Sequence, residues 1–239
     1  MAAVARVLAR QFGVLEPIQT AGSVNGQVEE LRQILEEKSA WPVTLIGYSW
    51  GAWLTWITAA RYPLLVRKLI LVSSGPFEEG YVTRLTEARQ ERLTADERQE
   101  FARLLHSLST PETEGKDGLL ARLGALAEKT DSFDPIKDQA EADAHTGPSG
   151  DIFQGVWSEA ARLRRSGELL GMAFNIQCPV TAIHGDYDPH PAEGVTTPLA
   201  ARLARFHFHI LEHCGHTPWK ERLAKQTFYN ILIEEAASL

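Results

Sequence analysis

The chain has 239 residues, 44% apolar and 23% charged, enough for one well-buried domain or a compact domain with a sizeable insertion and too short for two equal domains. Its 24 Lys and Arg against 31 Asp and Glu leave a net charge of −7 with no basic run, which gives binding to nucleic acid or an anionic membrane no electrostatic support. Two cysteines, Cys178 and Cys214, are too few for a disulfide framework; reduced thiols and a cytoplasmic location are the expectation, with a single bridge between them left open.

Residues 2–12 place Val4, Val7, Leu8 and Phe12 at helical spacing, with no capping residue ahead of them. Met1–Arg10 is too short and too charged for a signal-peptide core, and no later run reaches the roughly 18 apolar residues of a membrane span. Residues 13–19 read as a short strand, 21–26 as a loop, and 27–38, with Val28, Leu31, Ile34 and Leu35 on one face, as a helix. Residues 42–47 and 68–73 are branched, nearly continuous apolar runs, the pattern of parallel strands buried on both faces. Between them, 52–61 is apolar almost all round and reads as a buried helix ending at Tyr62-Pro63, so the three form one right-handed crossover. Residues 179–184 and 206–211 supply two further strands, with a helix near 199–204 between them, and 223–237 closes the chain as an amphipathic helix.

Residues 77–175 interrupt this rhythm with charge-rich helical stretches and a polar, loop-like segment from Asp131 to Asp151. The expected organisation is therefore a core built from 1–76 and 176–239, an α/β fold with a mostly parallel sheet flanked by helices, and a helical cap at 77–175. The insertion follows a strand end, which puts it over the carboxyl edge of the sheet, where open α/β sheets place ligands.

Gly47-Tyr48-Ser49-Trp50-Gly51 lies between a strand and a helix. A serine on a sharp strand-to-helix turn needs small residues two positions to either side, and both Gly47 and Gly51 meet that expectation. With Gly and Ser near 7% each, the string alone turns up in roughly one chain in ten of this length, so its placement carries the weight. A serine hydroxyl needs a base to take its proton and a carboxylate to orient that base. Two later strand ends offer them: Gly185-Asp186-Tyr187-Asp188 and His213-Cys214-Gly215-His216.

Taken together, these motifs in the order Ser, Asp, His resemble the α/β-hydrolase fold superfamily from the first helix to the C-terminus. The resemblance implies Ser49 as nucleophile, Asp188 rather than Asp186 as acid, His216 as base, and the backbone N–H of Trp50 as one oxyanion donor. It implies an esterase or aminopeptidase acting on a small molecule or short peptide, with no cofactor and no metal. A serine at position 49 speaks against dehalogenase or epoxide-hydrolase chemistry. The superfamily also carries a strand and a His-Gly oxyanion loop ahead of the first helix, and nothing in this sequence supplies them. Either a segment upstream of Met1 does so, or the sheet closes the gap in another way; a hydrolase-fold protein with impaired catalysis that binds a ligand or partner is the alternative reading.

Other side chains have plainer readings. A zinc site on His213 and His216 is a minor alternative, since the alternation Phe206-His207-Phe208-His209 only puts two histidines on one strand face. His184 reads as a strand-end residue, while His106, His145 and His190 have no partner apparent in sequence. Trp50, Trp53 and Trp56 read mostly as core, with Trp50 beside a pocket, and Glu78, Glu79 and Glu87 as a solvated face or, in a minority reading, as a seat for a substrate amine.

Overall fold

A computed structural model describes residues 1–110, 112–136 and 149–238. Four strands, β1 (Val43–Tyr48), β2 (Val66–Val72), β3 (Val180–Gly185) and β4 (Phe206–Leu211), form one parallel sheet in the order β1-β2-β3-β4. The register sets Ile46 opposite Ile70, Ile70 opposite Thr181 and Ile183 opposite His209. The helices are α1 (Ala2–Leu8), α2 (Val24–Lys38), α3 (Trp50–Arg61), α4 (Val82–Arg92), α5 (Ala95–Ser109), α6 (Lys116–Asp131), α7 (Gly150–Arg165), α8 (Glu168–Gly171), α9 (Glu193–Ala200) and α10 (Lys225–Ala237).

Alternation along β2 explains the layering, because successive side chains leave a strand on opposite faces. Leu69 and Leu71 pack with Val28, Leu31, Trp53 and Trp56 of α2 and α3, whereas Ile70 and Val72 pack with Val4 and Leu8 of α1 and with Phe228 and Leu232 of α10. Between β2 and β3 the described residues form helices α4 to α8 and no strand, with a small core of their own around Leu93, Leu104, Leu108, Leu123 and Leu126. None of the helices described is long and apolar enough to cross a membrane.

The strand expected at 13–19 does not form, so the sheet has four strands where the sequence suggested five. The segment carries no regular secondary structure and is tied elsewhere: the Met1 ammonium pairs with Glu16 at 3.2 Å, and Thr20 gives both its N–H (3.0 Å) and its hydroxyl (2.6 Å) to Glu30 of α2. Strand pairing requires a spacing of about 4.8 Å. Instead, a groove of about 790 Å³ runs between the segment and β1, lined by Leu15, Pro17, Leu31, Val43, Leu45 and Tyr48 among others. The expected gap beside β1 stays open.

Smaller differences have local causes. The stretch 21–26, expected as a loop, is helical from Val24 because the Ser23 hydroxyl caps it by accepting from the Gly26 N–H at 3.1 Å. The helix expected near 199–204 runs instead over Glu193–Ala200 and carries Pro198 inside it. The expected loop Asp131–Asp151 falls mostly on 137–148, outside the described residues, as does His145; Asp131 itself ends α6.

Candidate active site

Ser49 sits between β1 and α3 at φ 54°, ψ −119°, a conformation that L-residues avoid and that points to a strained turn. Its N–H donates to the Val72 carbonyl at 3.0 Å, tying the turn to β2. The turn is tight because α3 doubles back onto the strand: a Cβ at Gly47 would lie 2.2 Å from the Gly51 carbonyl oxygen and 2.4 Å from the Thr55 hydroxyl. Gly51 differs from the sequence expectation, since a Cβ there would meet nothing within 4 Å. It is the Gly51 backbone that crowds Gly47. Trp50 opens α3, so its N–H has no acceptor one helical turn earlier and is free to bind an anion at the helix start.

Asp188 and His216 come from the loops after β3 and β4. His216 Nε2 lies 3.1 Å from Ser49 Oγ, and its Nδ1 lies 2.8 Å from Asp188 Oδ2. A carboxylate accepts, so Nδ1 carries the proton and Nε2 is left to accept from the serine hydroxyl. Asp188 is buried, which opposes its charge, yet His216, His190 and His184 around it outweigh burial and hold its carboxyl well below the usual range. Asp186 does different work: its carboxylate accepts the Cys214 N–H at 3.0 Å and shapes the loop that carries the base.

Tyr48 backs His216. Its ring lies 5.1 Å from the His216 ring and 4.7 Å, edge-on, from Trp219, and its hydroxyl is 3.0 Å from Thr217 Oγ1. Burial pushes the Tyr48 phenol up, so it stays neutral beside the imidazole. The insertion braces both loops from the other side. The Asp131 carbonyl accepts the His216 N–H at 2.7 Å; Arg92 gives hydrogen bonds to the carbonyls of Thr130 (2.7 Å) and Tyr187 (2.9 Å). Buried Glu221 accepts from the backbone N–H groups of Phe133, Asp134 and Gly215, at 2.9, 2.8 and 3.1 Å.

A family model described as the alpha/beta hydrolase fold matches residues 18–222. The chain belongs to the α/β-hydrolase fold family. No curated protein sequence matches it. Solved structures similar to this α/β-hydrolase chain include VinJ, at 18% identity and TM-score 0.64 over 91% of this chain and 73% of that one. The epoxide hydrolase CorEH aligns at 17% identity and TM-score 0.61 over 99% of this chain and 86% of that one. A proline iminopeptidase from Mycobacterium smegmatis aligns at 15% identity and TM-score 0.54 over 90% and 72%. At these identities the likeness is one of fold.

Within this α/β-hydrolase fold the three side chains singled out in sequence, Ser49, Asp188 and His216, come together in one hydrogen-bonded line, although 139 and 28 positions separate them in order. His213 does not join them; its ring packs on Phe133 at 5.2 Å. Asp188, His190 and His216 offer ligand-type atoms within 4.8 Å of one another, a spacing that their mutual hydrogen bonds already explain. Both cysteines are free thiols. Glu79 pairs with Arg164 at 2.7 Å, and Glu78 and Glu87 are exposed. Trp50 donates from Nε1 to Gln27 at 2.9 Å and meets Trp53 edge-on.

His190, which had no partner apparent in sequence, is the main correction. Its Nδ1 is 2.8 Å from Asp188 Oδ1 and its ring stacks on His216 with centroids 4.6 Å apart. The available signal was its position two residues after the acid, on the same turn.

Proposed function

We propose that the chain is a serine hydrolase cleaving an ester or amide bond of a small molecule or short peptide. The observation that carries this reading is the unbroken line Ser49 Oγ, His216 Nε2, His216 Nδ1, Asp188 Oδ2, with steps of 3.1 and 2.8 Å across the two hydrogen bonds. In the proposed reaction His216 takes the Ser49 proton as Oγ attacks the carbonyl carbon, and the Trp50 N–H binds the oxyanion that forms. His216 then returns the proton to the leaving group, Asp188 keeps the imidazole oriented and stabilises its charge, and water activated by His216 releases the acyl group from Ser49. The helices between β2 and β3 act as the cap over the site. Of the glutamates offered as an amine seat, Glu79 is already paired with Arg164, while Glu78 and Glu87 are exposed. An organophosphonate tests the proposal: intact mass and peptide mapping should place one adduct on Ser49, absent in Ser49→Ala. A folded sample that takes no adduct refutes it.

A second reading is favoured by the groove, which brings solvent to Tyr48, Trp50 and Gly51 on the flank of the nucleophile turn. Trp50 is the one oxyanion donor assigned among the described residues, and loss of a single such donor lowers kcat by about a hundredfold to a thousandfold. In that case the protein acts chiefly as a binder. It would take up the phonsphonate adduct slowly and turn over no ester at a useful rate.

A further inference from the structure

We propose that His190 is a positioning residue that clamps the Asp188 carboxylate so that one oxygen faces His216; this rests on the serine-hydrolase reading for its catalytic consequence, though not for its geometry.

Asp188 Oδ1 accepts two hydrogen bonds from the same residue, the His190 backbone N–H at 2.9 Å and the His190 ring Nδ1 at 2.8 Å. A single donor would leave the carboxylate free to pivot about that bond. Two donors converging on Oδ1 fix the plane of the group, and in that plane Oδ2 points at His216 Nδ1. The clamp is itself anchored: His184, on β3, directs Nε2 at the His190 carbonyl at 2.8 Å, which holds the peptide after the donor ring. The His190 ring also lies flat against His216, 26° from parallel, so it limits tilting of the base.

For this arrangement to work, His190 must not become an imidazolium that competes with His216 for the same carboxylate. Every group packed around it bears on that. Burial opposes protonation most strongly, Asp188 draws a proton towards the ring, His216 and the Arg89 guanidinium of α4 oppose it, and the balance lowers the His190 pKa to about 4. Arg89 is in turn neutralised by the Asp131 carboxylate at the end of α6, 2.9 Å away. His184 completes the set, its Nε2 3.4 Å from Asp188 Oδ2. At neutral pH, His190 is thus a neutral donor, and the charge of Asp188 remains available to the base.

The test separates the ring donor from ring packing. His190→Phe keeps a flat ring against His216 and removes the donor; His190→Asn loses the ring and keeps an N–H donor at the position of Nδ1. With 15N-labelled histidine, NMR of the full chain reads the His216 tautomer, and the rate of phosphonate labelling and ester turnover read the site. The expected result for His190→Phe is a His216 no longer held as the Nδ1–H tautomer, with kcat down about tenfold and KM unchanged. His190→Asn should restore the tautomer and bring the rate within about threefold of the parent. Should His190→Phe fail to fold, His190→Leu is read in the same way. The proposal is overturned if the donor-less variants keep the parent tautomer and rate, or if His190→Asn falls as far as they do, since packing alone would then account for the loss. If the parent chain takes no phosphonate, the serine-hydrolase reading fails, and the tautomer comparison still decides the role of His190.

Discussion

Gly47→Ala tests whether the turn that carries Ser49 is set by steric contact between β1 and α3. A methyl group there would stand 2.2 Å from the Gly51 carbonyl oxygen, 2.6 Å from its carbonyl carbon and 2.4 Å from Thr55 Oγ1. Two of the three atoms are backbone, so no rotamer change relieves the overlap and the first turn of α3 must move away from the strand. Overpacking of this kind costs about 1–3 kcal/mol and occasionally more, and contact with backbone places this substitution at about 3 kcal/mol or above. For a chain of this size that corresponds to a fall in Tm of about 6–12 °C, taking 2–4 °C per kcal/mol. Gly51→Ala is the control. Its Cβ enters open space and it lies in the first turn of α3, where alanine is favoured over glycine by up to about 1 kcal/mol. It should melt at or slightly above the parent temperature. Paired thermal melts followed by circular dichroism, with phosphonate labelling of Ser49, measure both effects, and labelling should slow in Gly47→Ala more than in Gly51→Ala. Equal destabilisation by the two substitutions, or a Gly47→Ala melt within 2 °C of the parent by the same scale, refutes the steric argument.

Lys68, buried on β2, donates to Glu235 of α10 at 2.6 Å; Lys68→Met removes the cation while Glu235 keeps Thr181 Oγ1 at 2.8 Å and His209 Nε2 at 3.0 Å, so the loss in urea unfolding should be about 1–3 kcal/mol, partly recovered in the double variant Lys68→Met, Glu235→Leu. Glu221→Gln replaces an acceptor-only group facing backbone donors with an amide that must present at least one hydrogen to them; a loss of about 1–3 kcal/mol and slower labelling at Ser49 are expected from the same melts and labelling assay. The folded pKa of His190 is lowered from 6.5 to about 4, so between those values the unfolded chain binds a proton that the native chain does not; stability therefore falls as pH drops through this window, by about 3 kcal/mol. Urea midpoints at pH 7 and pH 4.5 should converge in His190→Asn if this is right. Hydrogen exchange tests the open groove: amides of β1 that face it should exchange well before those of β2, which is paired on both sides, and equal protection of peptides spanning 43–48 and 66–72 would show that the groove is closed in solution.

What could be read in the sequence divides along a physical line. The central strands β2 and β3 were legible because double burial leaves a continuous apolar run, as in Leu69-Ile70-Leu71-Val72, whereas the edge strands β1 and β4 carry the run while only partly buried; the three ordered site residues were legible because each lies at a strand end where short motifs carry the geometry. Residues 13–19 misled because Val14, Leu15 and Ile18 make a short apolar run, which satisfies a strand pattern; whether such a segment pairs depends on distance to a neighbour, and here it is tied on the side of α1 and α2, Glu16 to Met1 and Thr20 to Glu30, rather than to β1. Gly51 misled for a related reason. The motif treats its two glycines alike, but only the three-dimensional path of α3 shows which of them is crowded. His190 was invisible because its partners are 2 and 26 residues away, and no local period or motif links an imidazole to a carboxylate already assigned to another histidine.

The three residues of the site are therefore held by different means. Ser49 is placed by backbone packing inside the sheet and α3, with its N–H on β2, and nothing in the insertion touches it in the hydrogen-bond network described above. His216 and Asp188 are held from two sides: Asp188 Oδ1 accepts from His190, whose carbonyl meets His184 of β3, while from the insertion the Asp131 carbonyl accepts the His216 N–H, Arg92 of α4 donates to the Tyr187 carbonyl, and a Cβ at Gly215 would lie 2.1 Å from the Asp131 carbonyl oxygen. His216 is thus tied through its backbone N–H to the end of α6, whereas the Ser49 N–H is tied to β2. The 3.1 Å step between Ser49 and His216 therefore joins a turn fixed by β2 and α3 to a loop fixed both by the segment after β3 and by the helices between β2 and β3.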